Sequence, residues 1–419
     1  MSRSVGFSRE IPVRHEVDVF VAGGGPAGVA AAVAAARQGA KVFLAEGHSC
    51  LGGMGTAGLV PAFMRMGDGV NLLAAGVGSE IVDRLITAGG SAEGRKDPGI
   101  ESIGSISIHP EVLKRVYDEM VTEAKVKFAF HTNLIAVEAE GGRVVTAVCA
   151  AKSGLFAITA GIYVDATGDG DLAVWAGAPF EKGDEQGRMM PGTLCSLWAN
   201  VDWDAVRAGD LGAGNKRIEE AFADGVLTQE DRHLPGMWRL PGTLGGGNIG
   251  HAFGVDGTDE RSLTEALVWG RKLVLEYDRY YREYLKGFEK MELTATGSLL
   301  GLRETRRIMG DYVLNLEDFK SRAVFDDEIG RYSYPVDIHV SGPNRAAYDK
   351  FMEAAKHASR HRWSTGTKHS IRAGWALCDT EAIDDMQGWG NDQYTEVETS
   401  QIVQNGFGKR YEDGGLIID

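Results

Sequence analysis

The apolar run Val17–Val21, VDVFV, is short and β-branched and runs into glycines, the pattern of a strand buried on both faces. Behind it Pro26 opens an alanine-rich segment that reaches Gln38, with Gly39 at the C-terminal capping position. KVFLAE, Lys41–Glu46, predicts the next strand, so the three segments predict a βαβ unit. From Ala62 to Ser107 the pattern weakens into glycine-rich loops around one helix near Gly78–Ala88. Pro110 starts a further helix, EVLKRVYDEMVTEA. Three strands follow, VKFAFHT, LIAVEAE and VVTAVCA, the last two joined by a hairpin turn at Gly141–Arg143. FAITAGIYVDATGDGD then carries another strand into a glycine-rich turn. Residues 180–300 hold more Trp and Pro and fewer parallel-strand signals, which predicts a second domain. Within it SLTE, Ser262–Glu265, has capping-box spacing, and an amphipathic helix runs on to about Leu285. Tyr277, Tyr280, Tyr281 and Tyr284 recur at helical spacing and predict packing.

At 419 residues the chain exceeds one ordinary core, so two or three domains are expected. A net charge of −15 argues against nucleic acid or an anionic membrane as the main partner. The 57 glycines are scattered, which points to tight turns and close backbone approaches rather than a fibre. Cys50, Cys149, Cys195 and Cys378 lie far apart without a Cys-x-x-Cys pair, and no leader-like h-region or run of ~20 apolar residues occurs, so a reduced, cytoplasmic protein is expected. G-x-S-x-G, H-E-x-x-H and metal-ligand clusters are absent from the sequence, which leaves redox chemistry as the main enzyme class and no metal expected.

Gly23-x-Gly25-x-x-Gly28 sits between the first predicted strand and helix, where a dinucleotide fingerprint must sit. Gly23 permits the tight turn, Gly25 lets backbone approach a pyrophosphate, and Gly28 allows close helix–sheet packing. Pro26 and Ala27 begin the helix whose N–H groups would face that anion. Glu46, eighteen residues past Gly28, is placed to accept a ribose hydroxyl. NAD and FAD share this fingerprint. Two further stretches favour FAD: Gly52–Gly53, followed by Met54 and Gly55, and VDATGDGDLA, in which Ala166, Thr167 and Gly168 precede Asp169.

Together these resemble the two-dinucleotide-binding-domain flavoproteins. More closely, from Val17 to His339 the chain is similar to the FAD-dependent oxidoreductase family, which includes xanthan lyase-type proteins; GLRETRRIMGDYVL at Gly301–Leu314 and YPVDIH at Tyr334–His339 are its most specific late elements. The resemblance implies an α/β fold: a Rossmann-like FAD-binding domain with a β-meander insertion, plus a second, mixed α+β substrate domain. It implies FAD on the glycines, Glu46, Met54, Leu134 of the meander and Ala166–Asp169. The expected boundaries are 12–60 and 109–180 for the FAD-binding domain, completed by 370–419. An insertion at 61–108, a substrate or cap domain at 181–340 and a connecting region at 341–369 make up the rest. In the last fifty residues AIDDM and GWGND are placed to approach the flavin, although the family's closing Ala/Gly-rich helix is absent from them.

The expected activity is hydride or electron transfer between flavin and a small polar organic substrate, with the electron acceptor and any homo-oligomer left open. An NAD-dependent dehydrogenase and a non-catalytic flavin- or ADP-binding protein with a degenerate C-terminus are the alternatives. His251, in the glycine-dense loop GGGNIGHAFGVDG with Asn248, is the leading acid/base candidate, and His339 the second. Arg303, Arg306 and Arg307 with Glu304 could clamp a carboxylate, a phosphate or the flavin edge; if helical, Arg303 and Arg307 share a face. The bland alternative is an ion-pair network with Glu304 and Asp311. His15, His48, His131, His357, His361 and His369 read as solvated.

Overall fold

In the computed structural model, residues 5–314 are described apart from 7, 65, 69–70, 95–104, 185–186, 209–213 and 233–235. Past 314 the described residues are 318, 321, 323–332, 339, 342–343, 369–372, 375–377 and 417–418.

The chain starts with β1 (Val13–Ala22), α1 (Pro26–Arg37) and β2 (Val42–Ala45), the expected βαβ unit. Two short antiparallel strands not foreseen, β3 (Ala62–Met64) and β4 (Ser105–Ser107), flank α2 (Val77–Thr87). Then come α3 (Pro110–Glu123), β5 (Lys127–Ala129), β6 (Asn133–Glu140), β7 (Arg143–Ala151), β8 (Gly154–Asp165) and α4 (Asp171–Trp175). The strands form one sheet in the order β5-β2-β1-β8-β7-β6. From β5 to β8 the pairing is parallel, and β8, β7 and β6 form an antiparallel meander.

Strand alternation explains why β1 reads as a solid apolar run. Val19 and Val21, with Val42 and Leu44 of β2, pack into a core with α1, α2 and α3. Phe20 and Ala22, with Phe43 and Ala45, meet Ala147, Cys149, Phe156 and Leu172 on the other face. Side chains of the meander thus share a core with that face of β1 and β2. His15 stacks on Phe43 at a centroid distance of 3.8 Å and edges onto Phe156, so it is half-buried packing rather than a solvated side chain. Burial first, and the Lys127 and Arg14 charges after it, lower its pKa.

Next come β9 (Phe180–Lys182), β10 (Ser196–Ala199), α5 (Trp203–Ala208) and α6 (Gly214–Ala223). β11 (Gly236–Arg239), β12 (Gly245–Asn248), α7 (Glu260–Tyr284), β13 (Glu292–Thr296) and β14 (Arg306–Ile308) follow. An antiparallel sheet, β11-β12-β10-β13, packs on α7 around Trp198, Tyr277, Tyr280, Tyr281 and Phe288, so the tyrosine stripe is packing as expected.

Three local expectations are corrected here. Gly245–Asn248 is a buried strand, not a loop. A Cβ on Gly246 would lie 2.4 Å from Pro61, and one on Gly247 2.6 Å from Ser196 Oγ, so only glycine lets this strand pass between its neighbours. The cap of α7 is Asp259, whose carboxylate accepts from the Arg261 and Ser262 N–H groups, and Ser262 Oγ instead accepts from the Asp256 N–H. Arg306 and Arg307 lie on a strand, so no helical face joins Arg303 to Arg307. β14 pairs with β9 and leaves no room for a helix there.

The two parts join just after β13: Ser298 donates twice to the Ala57 carbonyl, at 2.8 Å from N and 3.2 Å from Oγ. Further along, Ile417–Ile418 pairs in parallel with β8 and Trp375–Leu377 in parallel with Tyr312–Leu314, while His369–Arg372 pairs antiparallel with Glu328–Tyr332. AIDDM, GWGND, His357, His361 and Cys378 lie outside the described residues. No helix among the described residues is long and apolar enough to cross a membrane.

Candidate active site

Three backbone turns converge at the carboxyl ends of β1, β2 and β8. Gly23 has φ +98°, and a Cβ there would lie 2.2 Å from the Ala166 carbonyl oxygen. A Cβ on Gly28 would lie 1.9 Å from the Gly23 carbonyl oxygen. Gly23 is required by conformation as well as by contact, and Gly28 by contact. Gly25 differs: a Cβ there would meet nothing within 4 Å. It is the N-cap of α1 and provides no side-chain hydrogen bond, so the first N–H groups of the helix, from Ala27 onward after Pro26, face open space. That cradle at a helix N-terminus fits a pyrophosphate.

Glu46 is 5% exposed, and its two oxygens accept from the Gly24 N–H at 2.6 Å and the His48 N–H at 2.7 Å. A carboxylate has about four lone-pair sites, so a ribose hydroxyl can still be accommodated. Gly52 and Gly53 both have positive φ, and the Gly52 N–H donates to Gly24 O at 2.8 Å, which lays the Gly53–Gly55 turn with Met54 against the first loop. Residues 131–132 run beside 46–48, while the Leu134 side chain packs into the core behind.

The third turn, Ala166–Asp169, is tied down by Asp165. Its buried carboxylate accepts from Thr167 N and Oγ1 and from the Ala173 N–H, and burial raises its pKa. Asp169 accepts from Thr305 Oγ1 at 2.9 Å, and burial and the adjacent Asp171 charge push its carboxyl up to about 7. Between its ordinary value of 3.8 and about 7 the unfolded chain has released this proton while the native protein retains it. Stability therefore falls as pH rises across that window and levels above it. Asp169→Asn in the FAD-loaded protein is expected to flatten the slope, reducing the loss between pH 5 and pH 8 by on the order of 1–2 kcal/mol. Urea unfolding at the two pH values checks this, and identical slopes for both proteins would refute it.

Arg306 belongs to this turn: it donates to the Asp169 carbonyl at 3.0 Å and pairs with Asp171 at 2.5 Å. Arg307 pairs with Glu304 at 2.9 Å. For these two the ion-pair reading holds, with Asp171 rather than Asp311 as Arg306's partner.

Arg303 is different, because it meets His339 and His251 in one buried row. Arg303 Nε donates to His339 Nε2 at 2.9 Å, His339 Nδ1 lies 3.3 Å from His251 Nε2, and His251 Nδ1 lies 2.7 Å from Asp231 Oδ2. Arg303 Nη1 also donates to the Pro191 carbonyl at 2.7 Å and to Thr193 Oγ1 at 3.2 Å. Arg303 is 7% and His251 0% exposed. With both ring nitrogens engaged and no exposure, His251 is not placed to exchange a proton directly with a bound molecule. Asp231 was not foreseen; nothing in QEDRHLP distinguishes it from the other acids of the chain. Beside the row, Asn248 accepts from Cys195 Sγ at 3.7 Å, while its buried Nδ2 has no partner among the described residues.

The row and the turns are linked through Gly301–Arg306. Arg303 is two residues from Thr305, at most about 7 Å along the chain, and Gly301 forms a bridge with Thr193. The sequence profile of FAD dependent oxidoreductases matches residues 18–371. The chain belongs to this family. Its cofactor is FAD rather than NAD, and it is an oxidoreductase. No curated protein matches this oxidoreductase by sequence. Among solved structures it is similar to a geranylgeranyl bacteriochlorophyll reductase-like protein from Thermoplasma acidophilum, at 15% identity and TM-score 0.43, over 69% of this chain and 67% of that one. It is also similar to p-nitrophenol 4-monooxygenase from Pseudomonas putida, at 12% identity and TM-score 0.39, over 67% and 66%. The flavin-dependent monooxygenase PieE, in complex with FAD and substrate, matches at 16% identity and TM-score 0.37, over 71% of this chain and 51% of that one.

Proposed function

We propose that the enzyme moves a hydride between FAD and a small polar organic molecule bearing a carboxylate or comparable oxyanion, which Arg303 holds. The observation that carries this is a buried guanidinium with no acidic partner among the described residues: its hydrogen bonds go to an imidazole, a carbonyl and a hydroxyl. A buried cation without a counter-ion is costly, and a bound anion offsets that cost. Nη2 makes no hydrogen bond among the described residues and is the edge left for such a ligand; Asn248 Nδ2, three residues before His251 in the chain, is a second donor without a partner among the described residues.

In this reading the Gly23–Gly28 turn and the N-terminus of α1 hold the pyrophosphate. Glu46 holds the ribose, and the Gly52–Gly55 and Ala166–Asp169 turns hold the middle of the cofactor. When bound, the cofactor supplies the hydride site at the flavin N5. The chain's own residues orient the substrate, exclude water and neutralise its charge. Residues 12–60 and 109–180 then form the cofactor side and 181–340 the substrate side, in a cytoplasmic enzyme. Arg306, already paired with Asp171, fixes the cofactor turn rather than the substrate.

The test is anaerobic mixing of the FAD-loaded protein with small hydride donors, each offered as the carboxylate and as its methyl ester. Loss of the flavin's visible absorbance is expected with carboxylates and at least about tenfold more slowly with the esters, the minimum for a charge-assisted hydrogen bond lost from a buried site. Equal rates with acid and ester would overturn the proposal.

A further inference from the structure

We infer that Asp231 is a positioning residue: through His251 and His339 it fixes one proton pattern along the row and so holds Arg303 with its Nη2 edge forward. The argument starts where chemistry allows no choice. Arg303 Nε always carries its hydrogen, so His339 Nε2, 2.9 Å away, must be the acceptor. The proton of a neutral His339 is then on Nδ1, and that N–H donates across 3.3 Å to His251 Nε2. His251 in turn carries its proton on Nδ1 and donates it to the Asp231 carboxylate at 2.7 Å. All three bonds run the same way, from Arg303 to Asp231.

No other distribution of protons satisfies these three hydrogen bonds together. A second proton on either imidazole, or the opposite tautomer of either, sets two N–H groups against each other in the interior. An ionised carboxylate only accepts, and that property anchors the direction. An orienting carboxylate behind an imidazole is a familiar way to select a tautomer. Other tethers of the row, Pro191 O and Thr193 Oγ1 on Arg303 Nη1 and Gln229 Nε2 on the His251 carbonyl, hold its members in place but carry no information about the tautomers.

The consequence for turnover rests on Arg303 binding the substrate; the proton pattern does not. The test is nitrogen NMR of the FAD-loaded enzyme labelled with 15N,13C-histidine, with His251→Gln and His339→Gln spectra for assignment. In the unaltered protein at neutral pH both imidazoles are expected as the neutral Nδ1–H tautomer. An Nε2–H tautomer or a doubly protonated ring at either position overturns the inference, and this measurement needs no Asp231 variant to fold. Asp231→Leu has nearly the same size but cannot accept, so the His251 Nδ1–H loses its partner and the His251 signal is expected to leave the pure Nδ1–H form, while Asp231→Asn, whose Oδ1 still accepts, keeps it. Retention of the pure Nδ1–H tautomer at His251 in Asp231→Leu also overturns the inference. The rate of flavin reduction by a carboxylate donor is expected to fall about 10- to 100-fold in Asp231→Leu, the usual cost of losing an outer orienting group. A tautomer change at undiminished rate supports Asp231 as the anchor of the pattern and refutes Arg303 as the substrate residue, so the two readings fail separately.

Discussion

Gly23→Ala is expected to purify without colour, its affinity for FAD lowered by at least about 100-fold, or ~2.7 kcal/mol. Two costs act together at this residue. Its φ of +98° lies where an L side chain is strained, and its Cβ would lie 2.2 Å from the Ala166 carbonyl oxygen. The first alone costs about 1–2 kcal/mol. The second cannot be relieved by turning a side chain, because both partners are backbone. The Ala166 turn cannot recoil cheaply either: its N–H donates to Ala22 O at 2.8 Å, and Asp165 ties Thr167 and Ala173 from behind. The first loop must therefore move, and with it the open N-terminus of α1 and the Gly24 N–H bonded to Glu46. Visible absorbance of the purified protein and a fluorescence titration with FAD measure the effect. Gly39→Ala is the control. It has φ +90° but would meet no atom within 4 Å, so it is expected to lose stability on the order of 1 kcal/mol and keep its FAD. A stoichiometrically yellow Gly23→Ala would mean that this close approach does not govern the cofactor site.

The two ends of the molecule differ in how far the chain betrayed them. The cofactor turns are local: glycine at 23, 25 and 28, an acid at 46 and the 52–53 pair each act within a few residues of a strand end, where spacing is informative. The Gly141–Gly142 hairpin was legible for the same reason, since both residues take positive φ. The glycines of β12 have the same composition and the opposite explanation. They are demanded by Pro61 and Ser196, distant partners that no local pattern displays. The arginines of LRETRR show the same limit. Identical residues three apart separate into a cofactor-turn ion pair at Arg306 and, at Arg303, a buried cation with no acidic partner among the described residues, because β14 pairs with β9 and the residues before it do not. Asp231 was invisible because its role depends on a histidine twenty residues later, and on a second one eighty-eight residues beyond that.

Arg303→Lys and Arg303→Met are expected to separate stability from catalysis. Lysine keeps the charge but not the planar fork, and one point charge cannot serve His339 Nε2, Pro191 O, Thr193 Oγ1 and a ligand together. Methionine removes the charge and keeps much of the volume. Because the guanidinium lacks a carboxylate partner among the described residues, its removal also relieves the cost of burying it. The melting behaviour of the methionine variant should thus stay within about 1–2 kcal/mol of the parent, the stranded His339 acceptor opposing the relief. Flavin reduction should respond quite differently. If Arg303 meets the charge of the substrate where water is excluded, both variants should reduce their flavin about 10²- to 10³-fold more slowly with a carboxylate donor. FAD affinity should be unchanged in both, since no hydrogen bond among the described residues joins Arg303 to the three glycine turns. Methyl esters add a further check: if the charge is what Arg303 reads, the methionine variant should treat ester and acid alike, while the parent does not. Stopped-flow reduction under nitrogen resolves these outcomes, and a lysine variant with the parent's rate would place the substrate's charge elsewhere, with Asn248 Nδ2 the next donor to examine.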